Sequence, residues 1–247
     1  MSFLRTVLAF AYTVFCVAVY IPFALVALLI SPLGLKKPVT WFIYGIAWFW
    51  SIGVITITGC TITVKGREHI PLRGGVCFVS NHGSIFDILL ALAYIGRPFG
   101  FIAKKELLFI PLLNAWISLL GGLFIDRKNL RKALKTINRG IQRIEKGSGM
   151  LIFPEGHRSK GQGVLPFRSG AIKLATQSRA PIIPMAISGS YEVFEKDYRV
   201  HSGPVQVIFC PPVNTADMAP QDRRHKLAEQ VRGIIQEALD TNLPERS

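Results

Sequence analysis

No acidic side chain precedes Glu68. Acids are scarce throughout: 15 Asp and Glu stand against 29 Lys and Arg, a formal net charge of +14. Charge of either sign is also scarce, at 18% of the 247 residues, while 50% are hydrophobic and the mean hydropathy is +0.36. So apolar a composition excludes disorder and a histone-like polyelectrolyte. Basic and apolar together point to a membrane surface. Cysteine is sparse. Cys16, Cys60, Cys77 and Cys210 match no zinc spacing, and each lies in an apolar run. They read as buried reduced thiols, which excludes a disulfide scaffold and favours a domain facing the cytosol. The chain has no internal repeat and no low-complexity tract.

What charge there is lies unevenly. Residues 6–35 and 38–64 carry none, and the cations before Glu68 are Arg5, Lys36, Lys37, Lys65 and Arg67. The apolar run from Thr6 to Ile30 is long enough, at about 1.5 Å per residue, to cross a bilayer core of about 30 Å. It is too long for the apolar core of a signal peptide, usually about 7–15 residues. Pro22 is expected to kink it. A second run, Val39 to Thr58, carries Gly45, Ser51 and Gly53 and a series of aromatics (Trp41, Phe42, Tyr44, Trp48, Phe49, Trp50) suited to a bilayer interface. Its later part, VITITGCTITV, is β-branched and is expected to begin a strand. SPLGLKKP, through Pro32 and Pro38, is the connecting turn. Cations at both ends favour a hairpin that enters one leaflet and returns, its lysines snorkelling to the surface, over a spanning hairpin or a core hairpin. The expected division is an anchor over 1–60 and a globular domain over 61–247.

In that domain apolar strands alternate with helical periodicity. Strands are expected at 75–80 (GVCFVS), 100–104, 123–126, 150–154, 181–188 and 204–210. Helices are expected at 84–94, through an apolar stretch at 106–120 broken by Pro111, at 129–146, near 168–178 and at about 221–240. In 129–146, Leu130, Leu134, Ile137, Ile141 and Ile144 form one face, and Arg131, Lys132, Lys135, Arg139 and Arg143 lie off it. The alternation predicts an α/β fold: a mixed, largely parallel central sheet flanked by helices, preceded by the hydrophobic hairpin.

Polar clusters follow three strands. In Asn81-His82-Gly83-Ser84-Ile85-Phe86-Asp87, five helical residues would set His82 and Asp87 about 140° apart. A His placed just before the helix can fold back instead. Asp87 could then accept from one ring nitrogen and leave the other free to take a proton. In Phe124-Ile125-Asp126-Arg127, Arg127 is a candidate phosphate fork, and Asp126 could orient it or cap the next helix. In Phe153-Pro154-Glu155-Gly156-His157-Arg158-Ser159, Glu155 could bind a hydroxyl or orient a basic group. Gly156 permits close backbone approach, and Arg158 is another anion candidate. Taken singly, these also read as a helix start capped by Ser84, a surface ion pair and a polar turn. Pro181-Ile182-Ile183-Pro184 fixes the start of a strand.

Taken together, NHxSxxD at 81–87, FIDR at 124–127, FPEGxRS at 153–159 and PIIP at 181–184 resemble the motifs of the glycerophospholipid acyltransferase family. Within it the chain is most similar to bacterial 1-acyl-glycerol-3-phosphate (lysophosphatidate) acyltransferases. The likeness runs from about Lys65 to Val213 and includes LPFRSGA at 165–171. His157 departs from it, standing where the family usually has Thr.

The resemblance implies transfer of an acyl group from acyl-CoA or acyl carrier protein to a membrane lipid acceptor, a step of phospholipid biosynthesis that gives phosphatidate. It implies His82 as general base held by Asp87, with no acyl-enzyme and neither metal nor cofactor. Arg127 would grip the glycerol phosphate, with Glu155 and Gly156 completing that site. Ser84, Asp126 and Arg158, from the same motifs, are further substrate-binding candidates. Another acceptor of the same class, or a lipid-binding protein without turnover, are the alternative readings. The expected location is a bacterial inner membrane, with the domain on the cytoplasmic face and the basic surface turned to anionic lipid. No recognisable DNA- or RNA-binding motif is present, so a nucleic-acid partner is not expected.

Overall fold

The computed structural model describes residues 1–30, 35–215 and 225–242. Two long helices come first, α1 (Ser2–Ile30) and α2 (Lys36–Thr58). Then follow β1 (Thr61–Lys65), β2 (Val76–Ser80), α3 (Phe86–Tyr94), β3 (Phe99–Lys104), α4 (Leu113–Leu119), β4 (Leu123–Ile125), α5 (Leu130–Glu145), β5 (Gly149–Ile152), α6 (Ser169–Ser178), β6 (Ile182–Ser188), β7 (Pro204–Phe209) and α7 (His225–Thr241). A 3-10 turn, Lys105–Phe109, precedes α4, and a π-helical turn, Tyr191–Glu195, follows β6. Residues 31–34 of the expected connecting turn and 221–224 of the expected last helix lie outside the described residues.

The seven strands form one sheet in the order β1-β7-β6-β2-β5-β3-β4. Among the described strands every pairing is parallel except β6 with β7. This is the expected α/β architecture. β2, β5 and β6 are buried along nearly their whole length, as parallel strands covered on both faces must be. Side chains alternate between two cores. Phe78, Ile183, Met185, Val205 and Val207 pack towards α2 and α3. Cys77, Val79, Ile182, Ala186 and Ile208 pack with Ile137, Ile141 and Ile144 of α5, Ile172 and Leu174 of α6 and Leu227 of α7.

α1 runs unbroken through Pro22. The β-branched end of the second run is not a strand: Val54 to Thr58 stay helical, and the chain leaves α2 at Gly59, with φ +68°, before β1 begins at Thr61. The reason is packing. Ile43, Tyr44, Ala47, Ser51, Val54, Ile55 and Thr58 recur at helical spacing and are all buried, which overrides their local preference. Trp41 and Trp48 at the side of that stripe and Phe42 and Phe49 on the opposite face are exposed. α1 is more exposed still, with Phe3, Val7, Phe10, Val14 and Phe15 outward and Ala9 and Cys16 buried.

α2 is therefore a wall of the domain as well as an apolar helix. Tyr44 Oη donates to Leu92 O and accepts from Gly96 N, each at 3.1 Å, tying α2 to the end of α3. Trp48 Nε1 adds a bond to Ala93 O. Tyr44→Phe removes partners from two backbone groups at once. It is expected to cost about 1–3 kcal/mol, read as a lower unfolding midpoint in detergent. An unchanged midpoint would show that α2 is only loosely attached.

Candidate active site

β2 delivers its C-terminal end into the turn that starts α3. Asn81 continues β2's pairing with its side chain, donating from Nδ2 to Ile187 O and accepting at Oδ1 from Ile187 N. The turn then closes on itself. Ser84 Oγ accepts from Phe86 N, Ser84 O accepts from Asp87 N, and Ser84 N donates to Asp87 Oδ2. That geometry folds His82 back, so that its Nδ1 lies 2.8 Å from the same Oδ2. Asp87 is fully buried, and the His82 side chain is 16% exposed. An ionised carboxylate can only accept, so the contact suits an imidazole that donates from Nδ1 and leaves Nε2 free. The ring stacks on Phe153 of the β5 turn at 4.0 Å and 19°, which fixes its plane. Ser84 itself is buried with its hydroxyl turned to the helix start. It shapes the turn.

Parallel pairing of β2 with β5, Val76↔Gly149 to Val79↔Ile152, sets the second motif beside the first. Glu155 Oε1 accepts from His82 N, and Ser159 N donates to His82 O. Burial pushes the Glu155 carboxyl up from its ordinary 4.5 to about 7; the His82 N–H opposes this and the Asp87 charge adds to it. Gly156, at φ +81°, has the backbone such a turn needs, and a Cβ there would come 2.8 Å from Arg168 Nε. Its carbonyl accepts from Arg127 Nη1. Two guanidiniums thus converge on one glycine. Partial desolvation, and then the Arg168 charge, make Arg127 a weaker base than an ordinary arginine. An anion placed between them would relieve that repulsion.

Other candidates are arranged differently from the sequence expectation. Asp126 neither orients Arg127 nor caps α5. It pairs with Lys105 at 2.8 Å and accepts from Lys128 N, while Asn129, three residues nearer the helix, takes the cap by accepting from Lys132 N. Arg158 pairs with Glu195 of the π-helical turn. Glu195 is buried, and its Oε1 also accepts from Ile85 N at 3.0 Å, so it joins both motif turns. Nothing in the sequence near Glu195 signals that contact. Arg168 lies in LPFRSGA and Lys105 directly follows the third strand, but neither was singled out by spacing. His157 is exposed beside the site.

The site opens on a cavity of about 1120 Å³. Its apolar lining includes Val17 and Tyr20 of α1, Ala47 and Trp50 of α2, Leu89 of α3 and Trp116 of α4. Besides His82 it is lined by Lys104, Arg127, His157, Arg158, Lys160, Arg168 and Lys173 and, among the described residues, by no carboxylate. The acids Asp87, Glu155 and Glu195 lie buried behind that surface. Such a space suits a molecule with an anionic head and a long apolar tail. Thiol nucleophiles are not poised in the domain core: burial pushes the Cys210 thiol up to about 11 and the Cys77 thiol further.

The Glu155 carboxyl has a consequence for stability. Its folded value lies above its unfolded value, so the folded protein holds the extra proton between pH 4.5 and about 7. The stabilising contribution is complete below pH 4.5 and is lost as pH rises through about 7. Melting temperature should therefore fall across that window in the wild type and fall less in Glu155→Gln. Equal slopes in the two proteins would contradict the assignment.

A protein-family model for acyltransferases matches residues 61–188. A 1-acyl-sn-glycerol-3-phosphate acyltransferase of Limnanthes douglasii is 35% identical over 195 residues, 77% of this chain and 66% of that protein. One of Limnanthes alba is 37% identical over 66% of this chain and 58% of its own length. One of Escherichia coli (strain K12) is 33% identical over 70% of this chain and 71% of its own length. The chain thus spans just under two thirds, or less, of those plant relatives. The crystal structure of the 1-acyl-sn-glycerophosphate (LPA) acyltransferase PlsC from Thermotoga maritima covers 100% of both chains at TM-score 0.80 and 26% identity. Motif-bearing residues, sequence relatives and overall fold agree: the chain belongs to the acyltransferase family.

Proposed function

We propose that the protein transfers a fatty acyl group from an acyl thioester to the 2-hydroxyl of 1-acyl-sn-glycerol-3-phosphate, giving phosphatidate. One observation carries this reading: a histidine oriented by a buried carboxylate opens on a cavity whose lining combines several cations with apolar side chains of α1, α2, α3 and α4. His82 Nε2 takes the hydroxyl proton as the oxygen attacks the thioester carbonyl carbon. The C–S bond then breaks, and the departing thiolate takes the proton back from the imidazolium. Asp87 holds the ring and stabilises its charged form. No covalent acyl-enzyme is needed, and the steps ask for neither metal nor cofactor.

Arg127, with Arg168 beside it, receives the acceptor's phosphate, and Gly156 lets both approach. Glu155 ties the His82 turn to the β5 turn and keeps the two in register. Acyl-CoA and acyl carrier protein are both anionic donors and suit the same cationic opening. Two apolar helices, Ser2–Phe23 and Lys37–Thr58 by length and composition, associate the chain with a membrane, where the acceptor's tail resides. The catalytic face belongs on the cytoplasmic side of a bacterial inner membrane, where acyl thioesters are made.

A turnover matrix tests this reading: lysophosphatidate, glycerol 3-phosphate and other lysophospholipids against acyl-CoA and acyl carrier protein, with products read by mass spectrometry. Phosphatidate should form from lysophosphatidate with at least one donor. Acylation of another acceptor in its place would move the assignment within the family, and no acylation at all would favour a lipid-binding role. His82→Ala should lower kcat by about 10²–10⁴-fold. Arg127→Ala removes a charge-assisted bond worth about 1.5–3 kcal/mol and should raise the acceptor KM by about 10–150-fold.

A further inference from the structure

The stretch between β3 and β4 turns apolar side chains outward. Phe109 is 78% exposed, and Leu108, Ile110, Leu112 and Leu113 are exposed beside it in sequence. Contiguous apolar exposure of this kind marks a contact with something apolar. The backbone of the turn is closed on itself. Ile110 N donates to Leu107 O, Leu113 N to Pro111 O and Asn114 N to Ile110 O. Asn114 Nδ2 donates to Leu108 O, and Pro111 has no N–H to satisfy. Leu112 makes the bend at φ +65°, a conformation a leucine holds only under constraint. A turn that closes several of its polar groups onto one another while exposing leucines and a phenylalanine is suited to lying among lipid chains.

Two neighbours say what covers it. Trp116 of α4 meets Tyr20 of α1 edge to face at 6.4 Å, so the turn is continuous with the exposed flank of α1. Next along the chain, Leu130 is 76% exposed and Leu134 37%, one helical turn apart on α5, with exposed Arg131, Lys132 and Lys135 between and after them. Leu112, Leu113, Leu130 and Leu134 all line the cavity and are also exposed to the outside. An apolar rim flanked by cations matches a leaflet with anionic headgroups.

We infer that the turn over 108–113 is a third membrane-inserting element, which with Leu130 and Leu134 seats the cavity mouth at the boundary between headgroups and acyl chains. A lipid then enters the cavity sideways from the leaflet, between α1 and α4, with its phosphate towards Arg127 and its tail never crossing water. The inference rests on the reading that α1 and α2 associate with a membrane.

Spin labels test it in vesicles of phosphatidylglycerol and phosphatidylethanolamine. The full chain, with Cys16→Ala and Cys60→Ala, carries one label at Phe109→Cys, Phe10→Cys or Lys146→Cys. Phe10 lies on the outer face of α1. Lys146 follows α5, roughly 24 Å along the helix from Leu130 at about 1.5 Å per residue, and is exposed to water. Accessibility to dissolved oxygen relative to a water-soluble nickel complex gives a depth parameter, positive in lipid and negative in water. The expected result is positive at 109 and at 10, and negative at 146. A value at 109 as negative as that at 146, with 10 positive, overturns the third element and leaves the helical anchor standing. Negative values at both 109 and 10 overturn the anchor as well.

Discussion

Parallel pairing of β2 with β5 is the constraint on which the site depends. It places the end of Ser80 and the end of Ile152 at one edge of the sheet, although the two motifs that follow are far apart in sequence. Once the strands are in register, the turns after them have little choice. His82 N finds Glu155, Ser159 N finds His82 O, and the imidazole lies flat on Phe153. α/β sheets bind ligands at the carboxyl ends of their strands for this reason. A shift of one residue between β2 and β5 would part Glu155 from His82 N and Ser159 N from His82 O, leaving a buried carboxyl without its donor.

Charge is layered around that edge. Three carboxylates are buried, Asp87, Glu155 and Glu195, and each is spent on the scaffold: one holds the imidazole, one bridges two turns, and one joins Ile85 N to Arg158. The cations line the cavity in front of them. The layering keeps acids from competing with an anionic ligand for Arg127 and Arg168. It also gives the chain's net charge of +14 a local meaning, since part of the excess is gathered on one working surface.

The apolar helices take part in the same construction. α2 contributes buried side chains to the core under β2 and β6 and hydrogen-bonds to the end of α3, while α1 and α2 both line the cavity. The parts that associate the chain with lipid therefore also shape the space that a lipid tail would fill.

The sequence by itself determined a great deal. Alternating apolar strands and amphipathic helices gave the α/β class, the uncharged runs gave the two apolar helices, and the polar clusters after the strands named His82, Asp87, Arg127 and Glu155. These features are local, because periodicity and strand-end polarity are written in consecutive residues. The tertiary structure alone decided the rest. It kept Val54 to Thr58 helical against their β-branched preference, because their neighbours on the helix are buried together. It gave Asp126 to Lys105 and not to Arg127, since adjacent residues at a strand end point in different directions. It brought in Glu195 and Arg168, whose places in the site depend on contacts between elements remote in the chain, and no local pattern encodes a contact of that range.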